Sequence, residues 1–187
     1  ISLTNSLILK NYPLYSIFDN ILNPVLERIG KEWKKGQLTI SQEHLATEII
    51  KKIIANINFQ HEPKKATQNA FCFTLINDKH DIPLHMGEAI INQAENIKTY
   101  NLGSNLPAND FISLSKKINP DIIFISIIFI ENKKRIIEEI ELLYQTFKDT
   151  KTKIYLRGAG VKKLKLFNSY FTHIESFQEF HSSLSIN

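Results

Sequence analysis

Ala70-Phe71-Cys72-Phe73-Thr74-Leu75-Ile76-Asn77-Asp78-Lys79-His80-Asp81-Ile82-Pro83 is the stretch on which the fold turns. Ala70–Ile76 is apolar and short enough for a buried strand, a polar loop follows, and Leu84–Ala94 then carries a helical pattern. The same succession recurs downstream. Ile97–Leu102, Ile122–Ile130 and Ile154–Leu156 read as strands, with helical patterns at Asn109–Ile118 and Lys133–Phe147 between them. A weaker strand near Tyr170–His173 and a last helix near Phe177–Leu184 complete the series. Strands alternating with helices specify an α/β fold whose parallel sheet is covered on both faces. Right-handed crossovers restrict the topology, and the expected strand order is 2-1-3-4-5.

Upstream of this stretch the period is helical. Ile17, Phe18, Ile21, Leu22, Val25, Leu26 and Ile29 recur on one helical face, which must be buried against something. Pro24 interrupts that face and predicts a bend, because proline removes a backbone donor. Gly36 ends the next stretch, and Thr39 with Gln42 forms a capping box for a helix with Leu45, Ile49, Ile50, Ile53 and Ile54 on its apolar side. Two amphipathic helices cannot close a core, so the residues before Tyr15 are expected to add another. The expected organisation is a helical cap over 1–58, a polar linker over 59–68 around Pro63-Lys64-Lys65, and an α/β domain over 69–187.

Composition narrows the class. The 187 residues are 43% hydrophobic and 22% charged, as in an ordinary globular protein, with a net charge of +4. The basic residues are scattered, and the densest group, Lys162, Lys163 and Lys165, reads as a solvated helix face. No helix-turn-helix pattern accompanies them, so nucleic acid is not an expected direct partner. The single Cys72 excludes a disulfide framework within one chain, which favours a reducing compartment. No apolar run reaches a membrane span and no signal peptide is visible, so the expected location is cytoplasmic. The chain lacks an initiator Met, which suggests a piece of a longer protein.

In open parallel sheets, ligands bind outside the carboxyl ends of the strands. The loop after the first strand places Asp78 two residues before His80 at that edge. An imidazole can give a lone pair to a metal, and a carboxylate on its other nitrogen fixes the tautomer and raises its basicity. By itself Asp-x-His is a weak motif, and two exposed loop residues are the simpler reading of it.

With its neighbours it resembles a family. Asp78-x-His80 looks like the opening of the Asp-x-His-x-x-Gly signature of cobalamin-binding domains, whose His coordinates cobalt from below. Trp33 followed by Glu43-His44 resembles the helical cap of the light-sensing MerR-type transcription regulators, as does the text Asn23-Pro24-Val25-Leu26-Glu27-Arg28-Ile29-Gly30. Leu102-Gly103 matches that family's Leu-Gly turn. Ser126-Ile127-Ile128 resembles its Ser-x-Leu element, and Arg157-Gly158 with Ala159-Gly160 stands where the family has a Gly-Gly pair. The resemblance implies a flavodoxin-like domain beneath a helical bundle that binds adenosylcobalamin or methylcobalamin. It implies Trp33, Glu43 and His44 on the upper face and His80, oriented by Asp78, as the lower cobalt ligand. Leu102, Gly103, Ser126, Ile128, Gly158 and Gly160 would lie along the cofactor.

Two residues depart from the pattern. Pro83 occupies the Gly of the His signature and predicts another path for the loop, with His85 as a substitute ligand. Arg157 is expected either to obstruct the cofactor's tail or to point to solvent. The function implied is a sensory and oligomerisation module, not an enzyme, that meets DNA only through a domain outside this chain and pairs with copies of itself. The alternatives are a corrinoid carrier serving methyltransferases, and a module that keeps the fold but has lost cobalamin.

Overall fold

The computed structural model describes residues 6–7, 10–58, 66–164 and 169–184. Helix α1 (Leu14–Ile17) runs through a π-helical turn (Phe18–Leu22) into α2 (Asn23–Lys34), and α3 (Ile40–Asn58) returns. The bend expected at Pro24 takes the form of that π turn. Just ahead of the proline, the Asn23 amide reaches back five residues to the Phe18 carbonyl. At the far end of α2 the Gly36 amide donates to Trp33 at 2.9 Å, with φ of +71°, a conformation glycine adopts without strain. The capping box then opens α3 as the sequence predicts. The Thr39 amide donates to Gln42 Oε1 at 2.9 Å, and the Gln42 amide donates to Thr39 Oγ1 at 3.3 Å.

Next come β1 (Gln68–Thr74), α4 (Ile82–Ile91), β2 (Ile97–Gly103), α5 (Ala108–Ser115), β3 (Ile122–Ser126) and α6 (Lys133–Phe147). They are followed by β4 (Lys153–Arg157), α7 (Ala159–Leu164), β5 (Phe171–Ile174) and α8 (Phe177–Leu184). The five strands form one parallel sheet in the order 2-1-3-4-5, the order expected. Every residue of β3 is buried, which is why its sequence is a continuous apolar run.

Each face of the sheet has its own core. On one, Phe71, Phe73, Ile123 and Ile125 meet Phe111 of α5 and Ile140 and Leu143 of α6. On the other, Cys72, Phe124 and Tyr155 meet Met86 and Ile90 of α4 and Phe177 and Phe180 of α8. Ile17, Phe18 and Ile54 of the cap enter that second core, so cap and sheet share one apolar interior. Gly87 makes the packing of α4 possible, because a Cβ there would stand 2.6 Å from the Phe124 ring.

Three local expectations change. The third strand stops at Ser126 instead of running to Ile130: the Ile127 amide makes the last ladder bond, to the Arg157 carbonyl, and the amides of Ile128 and Phe129 then turn away to Asp78. The apolar face of α3 is rotated: Ile50, Ile54 and Ile57 are buried, whereas Leu45 is 64% and Ile49 47% exposed. Val25 of α2 is also exposed, outside the face assigned to burial. Lys165 and most of the expected linker, 59–65, lie outside the described residues.

Candidate functional site

The carboxyl edge of the sheet is organised around Asp78. Although it stands on a loop, it is only 1% exposed. Its Oδ2 accepts the backbone amides of Ile128 (2.7 Å) and Phe129 (3.1 Å) from the loop after β3. Its Oδ1 accepts the His80 amide at 3.1 Å and lies 2.7 Å from His80 Nδ1. The Asp78 carbonyl accepts from the Thr74 hydroxyl and, at 3.1 Å, from the Asn105 amide of the loop after β2. Asn105 in turn donates its amide to Thr74 Oγ1 at 2.8 Å and accepts the Asn77 amide on Oδ1 at 2.7 Å. Asn77 and Asn105 both have positive φ, which asparagine tolerates better than most residues. Three βα loops are thus stitched together through one buried aspartate.

That stitching sets the state of His80. With Asp78 on Nδ1, the neutral ring carries its proton there and keeps its lone pair on Nε2. The side chain is 54% exposed, so Nε2 is available from outside. The Asp78 hydrogen bond holds the His80 pKa above its ordinary value; partial burial opposes this, and the charges of Asp78, Asp81 and Glu43 add to it. Glu43 belongs to the first turn of α3, so the cap lies within electrostatic reach of the imidazole. A direct tie runs alongside, from Lys51 of α3 to Asp81 at 3.0 Å.

The departures noted in the sequence have local explanations. Pro83 sits in the first turn of α4, where its missing amide costs no helical hydrogen bond, and His80 keeps its contact with Asp78. His85, the substitute ligand, instead has its Nδ1 3.2 Å from the Asn101 amide nitrogen and 3.5 Å from Glu88. Arg157 does not extend into solvent. Its side chain is 11% exposed, lies 4.0 Å over the Phe177 ring and approaches Asp19 at 3.7 Å. Burial pushes its pKa down against the pull of Asp19.

Sequence reasoning missed Asp19. Its two carboxylate oxygens accept the Phe177 and Gln178 amides at 3.0 Å each, capping α8 from the opposite end of the chain. An Asp in an amphipathic helix carries no sequence signal for a capping partner so distant.

The remaining candidates divide. Ser126 is fully buried with no hydrogen-bond partner for Oγ among the described residues, and it is the register partner of Thr74 and Arg157. Ile128 contributes its amide to Asp78. Leu102 packs on the core, and Gly103 has φ of +78° with its amide on Asn101 Oδ1 at 3.0 Å. A Cβ on Gly158 would strike the Ile127 carbonyl, and Gly160 donates to that same carbonyl at 2.8 Å. These two glycines therefore let the loops after β3 and β4 close on each other. In the cap, Trp33 is half-exposed at the end of α2, outside the packed core. His44 is exposed, 3.7 Å from Glu43, and Ile40 and Leu45 beside them are exposed too.

The donor set fits a cobalt ligand: an outward Nε2 with a buried carboxylate behind it. Among the described residues no group of three or more His, Cys, Asp or Glu side chains is placed to hold a metal ion. A corrin brings ligands of its own, so a single imidazole would suffice to hold its metal.

Comparison with known proteins agrees with the resemblance read from the sequence. Residues 1–58 match the family model of the B12 binding domain. The HTH-type transcriptional repressor CarH of Myxococcus xanthus is 24% identical over 119 residues, which is 64% of this chain and 39% of that protein. The chain thus spans about two-fifths of the relative's length. Among solved structures, the monomethylamine corrinoid protein of Methanosarcina barkeri superposes with a TM-score of 0.70 at 12% identity, covering 99% of this chain and 88% of that one. A cobalamin-binding protein from Desulfitobacterium hafniense DCB-2 gives 0.51 at 13% identity, covering 98% and 88%. At such identities the likeness establishes the fold. No described helix is long and apolar enough to cross a membrane.

Proposed function

We propose that this chain is the corrinoid-binding sensory module of a MerR-type transcription regulator, and that it changes its self-association when the bound adenosylcobalamin or methylcobalamin is altered, for instance by light. The observation that carries the corrinoid reading is His80, fixed through Nδ1 by buried Asp78, half-exposed, and within electrostatic reach of Glu43 in the cap. His80 would hold cobalt from below, with Asp78 orienting the ring. Trp33, Glu43 and His44 would face the upper side. The bound group supplies a light-sensitive cobalt–carbon bond; the chain contributes binding and orientation, not catalysis. DNA recognition would reside in a domain outside these residues, and the partner of the module would be another copy of it. Similarity to CarH supports the regulatory part.

A second reading, a corrinoid carrier for methyltransferases, draws support from the exposure of Ile40, Leu45 and Ile49. A carrier must keep its upper face open to partner enzymes. Reconstitution in the dark with each cobalamin, followed by desalting and an absorption spectrum, tests the corrinoid reading. Retained, near-stoichiometric cofactor supports it, and a colourless protein contradicts it. Sedimentation before and after illumination separates the two functions: a sensor changes its mass, and a carrier does not.

A further inference from the structure

Resting on the corrinoid reading, we infer that Phe129 is a second contact for the ligand: an apolar platform beside His80, against which the lower side of the macrocycle lies. The loop after β3 runs through four consecutive apolar residues, Ile127 to Ile130. Ile127 is buried, and Ile130 packs on the core beneath the sheet. Phe129 does neither and is 49% exposed. Outside the helical cap, no other described large apolar side chain is so exposed. Floppiness of the loop does not account for this, since the Phe129 amide donates at 3.1 Å to Asp78 Oδ2.

The position of the ring relative to His80 gives the exposure a use. The Asp78 carboxylate that orients the imidazole through one oxygen holds the Phe129 backbone through the other. Imidazole and phenyl ring are therefore placed by one buried group, with centroids 6.5 Å apart and planes inclined at 41°. A metal bound at Nε2 lies beyond the edge of the imidazole, and a macrocycle around that metal extends sideways by more than this centroid separation. A disc held at His80 is wide enough to reach Phe129, and in the inferred complex it covers that ring. A small hydrated ion at Nε2 would leave the ring exposed. The pairing of an outward nitrogen with an adjacent fixed apolar surface thus selects a large, flat metal complex.

The test uses the full chain and hydroxocobalamin, with affinity read from the absorption titration. Phe129→Ala is expected to weaken uptake roughly tenfold, and Phe129→Leu, which keeps an apolar surface, by less than about threefold. The loss should persist when Phe129→Ala is placed on His80→Ala, because stacking does not pass through the cobalt–nitrogen bond. The spectral signature of imidazole ligation should survive in Phe129→Ala alone. Unchanged affinity in Phe129→Ala overturns the inference while leaving the corrinoid reading intact. Loss of the imidazole signature in that variant also overturns it, since Phe129 would then act only through His80. If the wild type takes up no corrinoid, the functional reading fails and this inference with it.

Discussion

The carboxyl edge of the sheet and the helical cap were both expected to carry the site, yet they are built in opposite ways. At the edge, Asp78 is buried, satisfied on both oxygens and shared by three loops, so His80 is positioned before any ligand arrives. On the cap, Trp33, Ile40, His44, Leu45 and Ile49 are exposed, and the first turn of α3 is tied by its own capping box. Polar groups placed inside a fold are costly unless satisfied there, and a fully satisfied one such as Asp78 is held rigidly. Exposed apolar side chains carry no such requirement, and large patches of them mark surfaces that bind partners. The carboxyl edge is preorganised, whereas these side chains of the cap are left exposed.

The largest effect that could break this contrast lies at Asp78. Asp78→Ala strands the amides of Ile128 and Phe129 and releases His80, and should cost about 3 kcal/mol in denaturant unfolding, on the scale of hydrogen bonds to a charged group. A loss below about 1 kcal/mol would show that the edge is not the rigid element described. Next is the latch between the two regions. Asp19→Ala removes the cap of α8 and leaves Arg157 buried without its carboxylate, for about 2 kcal/mol in the same measurement.

A pH titration sharpens the contrast further. Cobalt requires the neutral imidazole, and Asp78 raises the pKa of His80 above its ordinary 6.5. Corrinoid uptake should therefore fall about tenfold per pH unit below that raised value, because the proton competes for Nε2. The folding contribution has the opposite sign. A raised folded-state pKa stabilises the empty protein fully below the unfolded value, and that stability is lost as pH rises through the folded value. His80→Ala should abolish both slopes. The smallest expected effect belongs to the cap: Leu45→Ser should change stability by less than about 0.5 kcal/mol, since that side chain is already in water. A large destabilisation would mean that the cap surface is structural after all.

The contrast also explains what was legible in the sequence. Strand order and the Asp78–His80 pair could be read because burial on both faces writes continuous apolar runs, and because the loop signature is local. The end of β3 could not, since Ile127 is as buried as the strand it leaves and composition does not change where pairing stops. The apolar side of α3 was misassigned at Leu45 and Ile49 for a related reason. Periodicity shows that a face is apolar, but not whether its partner lies within the chain. Arg157 was read for its own place in a glycine pattern, whereas its conformation depends on Asp19 and Phe177, two residues joined only in the fold.

The central claim, that His80 takes cobalt through Nε2, meets its most direct test in electron paramagnetic resonance of the reduced, cobalt(II) form bound to protein labelled with nitrogen-15 at histidine. A coordinating nitrogen splits each cobalt line into a triplet when it is nitrogen-14 and into a doublet when it is nitrogen-15. The account predicts doublets in the labelled wild type and their loss in labelled His80→Ala. Triplets in the labelled wild type would place the cofactor's own base on cobalt and contradict the role assigned to His80.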